Sequence, residues 1–118
     1  MTTNTQIALA KTQSIKISLV NAIMELESRA ERARLDNDQD LSRRLSLQSV
    51  ALSKEALRIH QVEAEIRSRT ALKVAIKKLS GIAGEARDTV SLLRKTADAL
   101  GAAARMIGTL GKLATIFA

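Results

Sequence analysis

The sequence predicts an all-α protein, an elongated antiparallel three-helix bundle of coiled-coil-like helices, on three observations. There is no Pro in 118 residues and there are only five Gly, so turn chemistry is scarce. Apolar residues recur at spacings of three and four over long stretches, which is the helical period. The only aromatic is Phe117, so the core must be built from Leu, Ile, Val and Ala. With 46% hydrophobic and 26% charged residues the composition suits one folded domain over residues 1–118.

The first helix is expected over about residues 4–35. Thr3-Asn4-Thr5-Gln6 has the form of a capping box. Ile7, Ile15, Leu19, Ala22, Ile23, Leu26, Ala30 and Ala33 then supply an apolar row. Arg29, Arg32 and Arg34 sit where cations suit the negative end of the helix dipole. Asp36-Asn37-Asp38-Gln39-Asp40 is the clearest break. Its D-x-D-x-D spacing resembles a calcium loop, but the sixth position is Leu41 rather than Gly and the twelfth is Leu47 rather than Glu.

The second helix is expected over about residues 40–79. Leu45, Leu52, Ile59 and Ile66 repeat every seven residues, a coiled-coil seam. A second row, Leu47, Val50, Leu57 and Ala64, is expected to widen the buried face and to serve a second neighbour. Lys73, Lys77 and Lys78 followed by Gly81 and Gly84 place the next turn at 80–84. Two features compete with that placement. The seam slips by one residue between Ile66 and Leu72, which would suit a turn at 68–70. A 3-4 rhythm also runs from Leu72 straight through both glycines to Leu93, and onward to Ala97, Leu100, Ala104 and Ile107.

The third helix is expected over about residues 82–116, with an apolar C-terminal segment at 96–118. Three helices of about 35 residues far exceed the ~12 of an ordinary globular helix. Helices of that length leave apolar surface at the edge of the bundle, which oligomerisation is expected to cover.

That C-terminal segment carries only Asp98, Arg105 and Lys112 as charges. Ala97, Leu100, Ala104, Ile107 and Gly111 form one row, and Gly101 and Gly108 another. Leu110, Leu113 and Phe117 extend the apolar surface. The segment is expected to be an oligomer interface, or alternatively an interfacial or pore-forming membrane helix in which small residues permit close packing.

Nineteen Lys and Arg against twelve Asp and Glu give a net charge of +7. Along the chain the excess is even: +2 over residues 1–35, +3 over 36–79 and +2 over 80–118. Arg67, Arg69, Lys73, Lys77 and Lys78 form a basic stretch without an acid, suited to phosphates or anionic headgroups. Without Tyr or Trp there is no stacking platform, so nucleic-acid contact would be to the backbone.

Catalysis is not expected. There is one His, His60, and no Cys, which removes most nucleophilic and metal constellations. His60 and Glu63 are one turn apart but lack the repeated carboxylate and His set of a di-metal bundle. The N-terminal stretch lacks a Sec signal pattern, which suits a cytoplasmic protein or export without a cleavable signal. The expected function is therefore non-enzymatic: self-association, or a helical protein partner, through aliphatic seams. There would be no cofactor, no metal and no small-molecule substrate. An anionic membrane surface is the alternative partner, and nucleic acid the second.

Overall fold

The computed structural model describes residues 3–117, and helices account for nearly all of them. In order these are α1 (Thr3–Leu35), α2 (Gln39–Ser53), α3 (Glu55–Ser68), α4 (Lys73–Lys95) and α5 (Ala99–Gly111), closed by a 3₁₀ turn at Lys112–Thr115. Because α2 and α3 continue one another, the helices make four rods rather than the expected three.

The first break is built as the sequence implies. Asn37 takes the left-handed conformation, with φ of 63°, which Asn tolerates better than most residues. Asn37 N–H then donates to the Arg34 carbonyl and Asp38 N–H to that of Ala33, the paired bonds of a Schellman stop. Asp38 also starts the next helix, its Oδ1 accepting from Leu41 N–H at 3.1 Å. One short acidic turn thus ends α1 and caps α2.

The second rod is interrupted only at Lys54, where the Ser53 hydroxyl donates to the Val50 carbonyl at 2.6 Å and competes with the backbone ladder. The seven-residue seam is buried as expected: Leu45, Leu52, Ile59 and Ile66 are each at most 2% exposed.

Two corrections follow. The second helix does not run to residue 79, and there is no turn at 80–84. The rod ends at Ser68, Arg69 turns extended, and Leu72 is buried in the connection before α4 begins at Lys73. The one-residue slip between Ile66 and Leu72 marked this turn, and Gly81 and Gly84 lie inside α4. A turn instead falls at Thr96–Asp98, which splits the expected third helix of 82–116. Asp98 N–H donates to Thr96 Oγ1, and Asp98 Oδ1 accepts from Gly101 N–H at 2.9 Å to cap α5. Bases, then Thr and Asp, mark this boundary: Arg94, Lys95, Thr96, Asp98.

The rods run up, down, up and down. Glu27 of α1 meets Ser49 of α2, and Lys16 meets Glu63 of α3, so the second rod is antiparallel to α1. Arg29 of α1 reaches the end of α4, donating to the carbonyls of Leu93 and Thr96, so α4 is parallel to α1. Lys112 at the end of α5 pairs with Glu85 of α4. Packing is around a square: α1 against the second rod and α4, and α5 against the other sides of both. The result measures 53 × 22 × 21 Å, with a radius of gyration of 15.5 Å. A compact chain of this length would have about 13.5 Å.

Small residues make the interior close. On α1 the buried row is Thr5, Ala8, Thr12, Ile15, Leu19, Ala22 and Leu26. Ile7, expected in that row, is 40% exposed, because the 3-4 spacing counted back from Ile15 passes through Thr12 and Ala8.

Candidate interaction surface

The C-terminal segment turns one face inward. Met106, Leu110, Leu113 and Ile116 are buried in the bundle, with Ala99, Ala102 and Ala103. The expected row of Ala97, Leu100, Ala104, Ile107 and Gly111 is not that face. Ala97, Gly101, Ala104 and Gly108 are exposed, and Leu100, Ile107, Gly111 and Phe117 are half-buried. The physical reason is the break at Thr96–Asp98, which resets the helical phase, so a rhythm carried through from Leu93 lands off the core. Gly101 has a local cause as well: a Cβ there would collide with the Asp98 carboxylate that caps the helix. Ala118, the last residue of the segment, lies outside the described residues. Among the described residues no helix is long and apolar enough to cross a membrane.

The basic stretch is divided by the turn at 69–72. Arg69 leaves the stripe: it pairs with Glu65 at 3.3 Å and its guanidinium lies 4.4 Å from the centroid of Phe117. Lys78 Nζ donates to the Thr115 carbonyl. Arg67, Lys73 and Lys77 are exposed and make no ion pair among the described residues. These five bases sit at one end of the bundle, with the N-terminus of α1 and the 3₁₀ turn.

Folding also segregates charge that was even along the chain. The half of the bundle built from residues 3–21, 51–90 and 106–117 holds eleven Lys and Arg against five Asp and Glu. The other half, residues 22–50 and 91–105, holds eight against seven. Nearly all of the excess positive charge therefore lies at the end carrying Arg67, Lys73 and Lys77.

Among the described residues Glu63 is the one buried carboxylate, 7% exposed between α3 and α1. Lys16 Nζ lies 2.7 Å from its Oε1, His60 Nδ1 3.4 Å from the same oxygen, and Thr12 Oγ1 donates at 3.5 Å to Oε2. A buried carboxylate needs such partners to be tolerated, and here they tie α3 to α1. His60 itself is exposed. Elsewhere, Lys112 donates to the Glu85 carboxylate and holds it below the usual carboxylate range, and Arg34 does the same for Glu31.

The largest surprise is apolar. The row Leu47, Val50, Leu57 and Ala64, expected to be buried, is exposed on the outside of the second rod, Leu57 at 65% and Val50 at 53%. The square packing supplies the reason: the second rod's two neighbours, α1 and α5, are both reached from the Leu45–Ile66 side. On α1 an exposed row also stands out: Ile17 at 54%, Val20 and Met24 at 61%. Sequence reasoning missed it, although its spacings of three and four repeat those of the core row.

The two rows meet along the join between the rods. Lys16 and Glu27 reach across to α3 and α2, and Val20 and Met24 lie between them in the same row of α1. Ser49 contacts Glu27, and Ser53 and Leu57 follow it one and two turns on. Val20, Met24, Val50 and Leu57 thus border one join. On α1, Ala10, Gln13, Ile17 and Asn21 instead line a groove with Arg87, Val90 and Arg94 of α4.

No family model matches the chain, and no curated protein and no solved structure matches it. The fold defines an all-α helical bundle, and the surface has to supply any functional reading.

Proposed function

We propose that this chain is a non-enzymatic assembly protein that self-associates through the aliphatic face formed by α1 and the second rod. The observation that carries the reading is the set of bare side chains Val20, Met24, Val50 and Leu57 along the join of the two rods. Single exposed apolar residues are ordinary, whereas a contiguous set on long parallel rows marks an interaction surface. The second-rod row repeats every seven residues from Val50 to Leu57 to Ala64, a spacing that lets one helix pack along another. This face is favoured over the C-terminal segment, whose Met106, Leu110 and Leu113 are buried in the bundle and whose outward row of Ala97, Leu100, Ala104, Ile107 and Gly111 presents only small or half-buried side chains.

Light scattering on the eluted protein tests the reading. A mass well above 12.8 kDa at micromolar concentration is expected. Leu57→Glu and Val20→Glu should each return the mass to that of one chain with helicity unchanged. Leu100→Asp or Ile107→Asp, which probe the α5 row, should leave it assembled. A stable monomer for the unaltered chain refutes the proposal.

The segregation of charge favours a second reading, binding of a polyanion at the end that carries Arg67, Lys73 and Lys77. Duplex nucleic acid bound there would be held through its backbone and released steeply by salt. The test is affinity for a DNA or RNA duplex at low salt, with and without Lys73→Glu and Lys77→Glu. The membrane-active alternative would require α5 to release its buried side chains to lipid. Flotation with anionic vesicles, comparing the full chain with one ending at Lys95, tests it.

A further inference from the structure

We infer that the partner on the α1 and second-rod face is a second copy of this chain, lying antiparallel about a twofold axis that crosses the rods near their middle. The inference rests on the assembly reading and adds the partner and its orientation.

A twofold axis of this kind makes a geometric demand. It lays α1 on the other copy's α1 and the second rod on the other copy's second rod, each running the opposite way. Both apolar rows must then be centred at the same height. Thr12 lies abreast of Glu63 and Glu27 abreast of Ser49, which sets the register of the two rods. The α1 pair, Val20 and Met24, is centred near Ala22. The second-rod row, Val50 to Leu57, is centred near Ser53. In the observed register these midpoints fall within about one helical turn of each other. The axis would then set Val50 opposite Leu57 of the second copy and Val20 opposite its Met24.

Charge selects the orientation. Two parallel copies would place their cationic ends side by side. A parallel twofold would also set each α1 on the other copy's second rod, bringing Asp36 toward Asp40 and Arg32 toward Arg44. The antiparallel arrangement separates the cationic ends instead. It brings Arg67, which makes no ion pair among the described residues, beside the Asp36–Asp40 turn of the second copy, where Asp38 is exposed and Asp40 already pairs with Arg43 and Arg44. Opposite charges across an interface fix register and orientation more than they add affinity.

The area is sufficient. One long side of the bundle, 53 by 22 Å, has a footprint of about 1,200 Å², against the roughly 800 Å² that each partner of a standard stable complex buries.

The chain has no Cys, so single introduced cysteines report position without interference. Ser53→Cys, Gln39→Cys and Ser68→Cys all fall at exposed positions. With a short bis-maleimide, Ser53→Cys alone should give a covalent dimer, because it lies near the axis. Gln39→Cys and Ser68→Cys should give little product separately and a covalent dimer when mixed. Self-linking of Ser68→Cys in a protein of dimer mass would overturn the antiparallel orientation and leave the assembly reading standing. A dimer mass with no product from Ser53→Cys or from the mixture would overturn this face. A monomer mass for the unaltered chain would overturn the assembly reading and this inference with it. Circular dichroism of each variant confirms that the bundle is intact before linking.

Discussion

Gly81 and Gly84 give the sharpest test of the fold, because the two placements of the turn predict opposite signs. If α4 is continuous from Lys73 to Lys95, both glycines are interior helix positions. Glycine there is less favourable than alanine by about 0.8–1.0 kcal/mol, chiefly because it loses more backbone freedom on folding. The gain is realised only if the new methyl has room. A Cβ at either position meets nothing within 4 Å, and neither glycine has positive φ. Gly81→Ala and Gly84→Ala should therefore each stabilise the protein by about 1 kcal/mol, and together by more than either alone, with a coupling set by their position one turn apart. For a chain of this size each should raise the melting temperature by roughly 3–6 °C. Urea unfolding followed by circular dichroism gives the free energy directly: the midpoint should rise with the slope unchanged. Gly101→Ala is the internal control and should gain less than Gly81→Ala or Gly84→Ala, because its Cβ displaces the Asp98 carboxylate that caps α5 and the lost cap offsets the helix gain. A loss of stability at Gly81 or Gly84 would show a turn there and refute the continuous α4.

Three further outcomes are expected. Arg29→Ala should cost about 2–3 kcal/mol, because the guanidinium donates at 3.0 and 2.8 Å to the carbonyls of Leu93 and Thr96, bonds that close the end of α4; hydrogen exchange should quicken first around residues 93–98. Leu110→Ala should cost about 2–5 kcal/mol in the same urea assay, as for other fully buried leucines, whereas Leu57→Ala should cost well under 1 kcal/mol in the monomer. The carboxyl of Glu85 titrates below its ordinary 4.5 because Lys112 donates to it, so the pair stabilises the fold above that pH and its contribution is lost as pH falls through the lowered value. Lys112→Met should remove that part of the acid-side slope, read from unfolding curves between about pH 5 and pH 3.

Small residues account for two of the differences between the periodicity and the structure. Periodicity reports large apolar side chains, and this core uses many small ones. Thr12 and Ala8 carry the α1 row and give no hydrophobic signal, so Ile7 was assigned to a seam it does not enter. The same blindness carried a rhythm past Thr96 to Ala97 and Leu100, where a change of phase costs a row of alanines nothing visible. Gly81 and Gly84 look like helix breakers in the sequence, yet a helix tolerates each at modest cost. The true stops used weaker-looking signals: a one-residue slip before Leu72, and the Thr96-Ala97-Asp98 cap. The interaction surface was legible only as a pattern. Leu47, Val50, Leu57 and Ala64 are recognisable as a row, but a row looks the same whether a neighbour covers it or not.

By itself, the sequence determined that the chain is helical, that its long rods carry aliphatic seams such as Leu45, Leu52, Ile59 and Ile66, and that a tight turn follows Leu35. These follow from local rules: helical period, Asn and Asp at the stop and cap, and the absence of proline. Tertiary structure decided which rows are covered and where the charge collects. Four rods around a square leave each with two neighbours, so Val20, Met24, Val50 and Leu57 remain outside. Folding back also stacks Arg67, Lys73 and Lys77 with the other bases of one half of the bundle, turning an even charge along the chain into a polar molecule. Both outcomes depend on which residues lie at the same height on different rods, and no local rule contains that information.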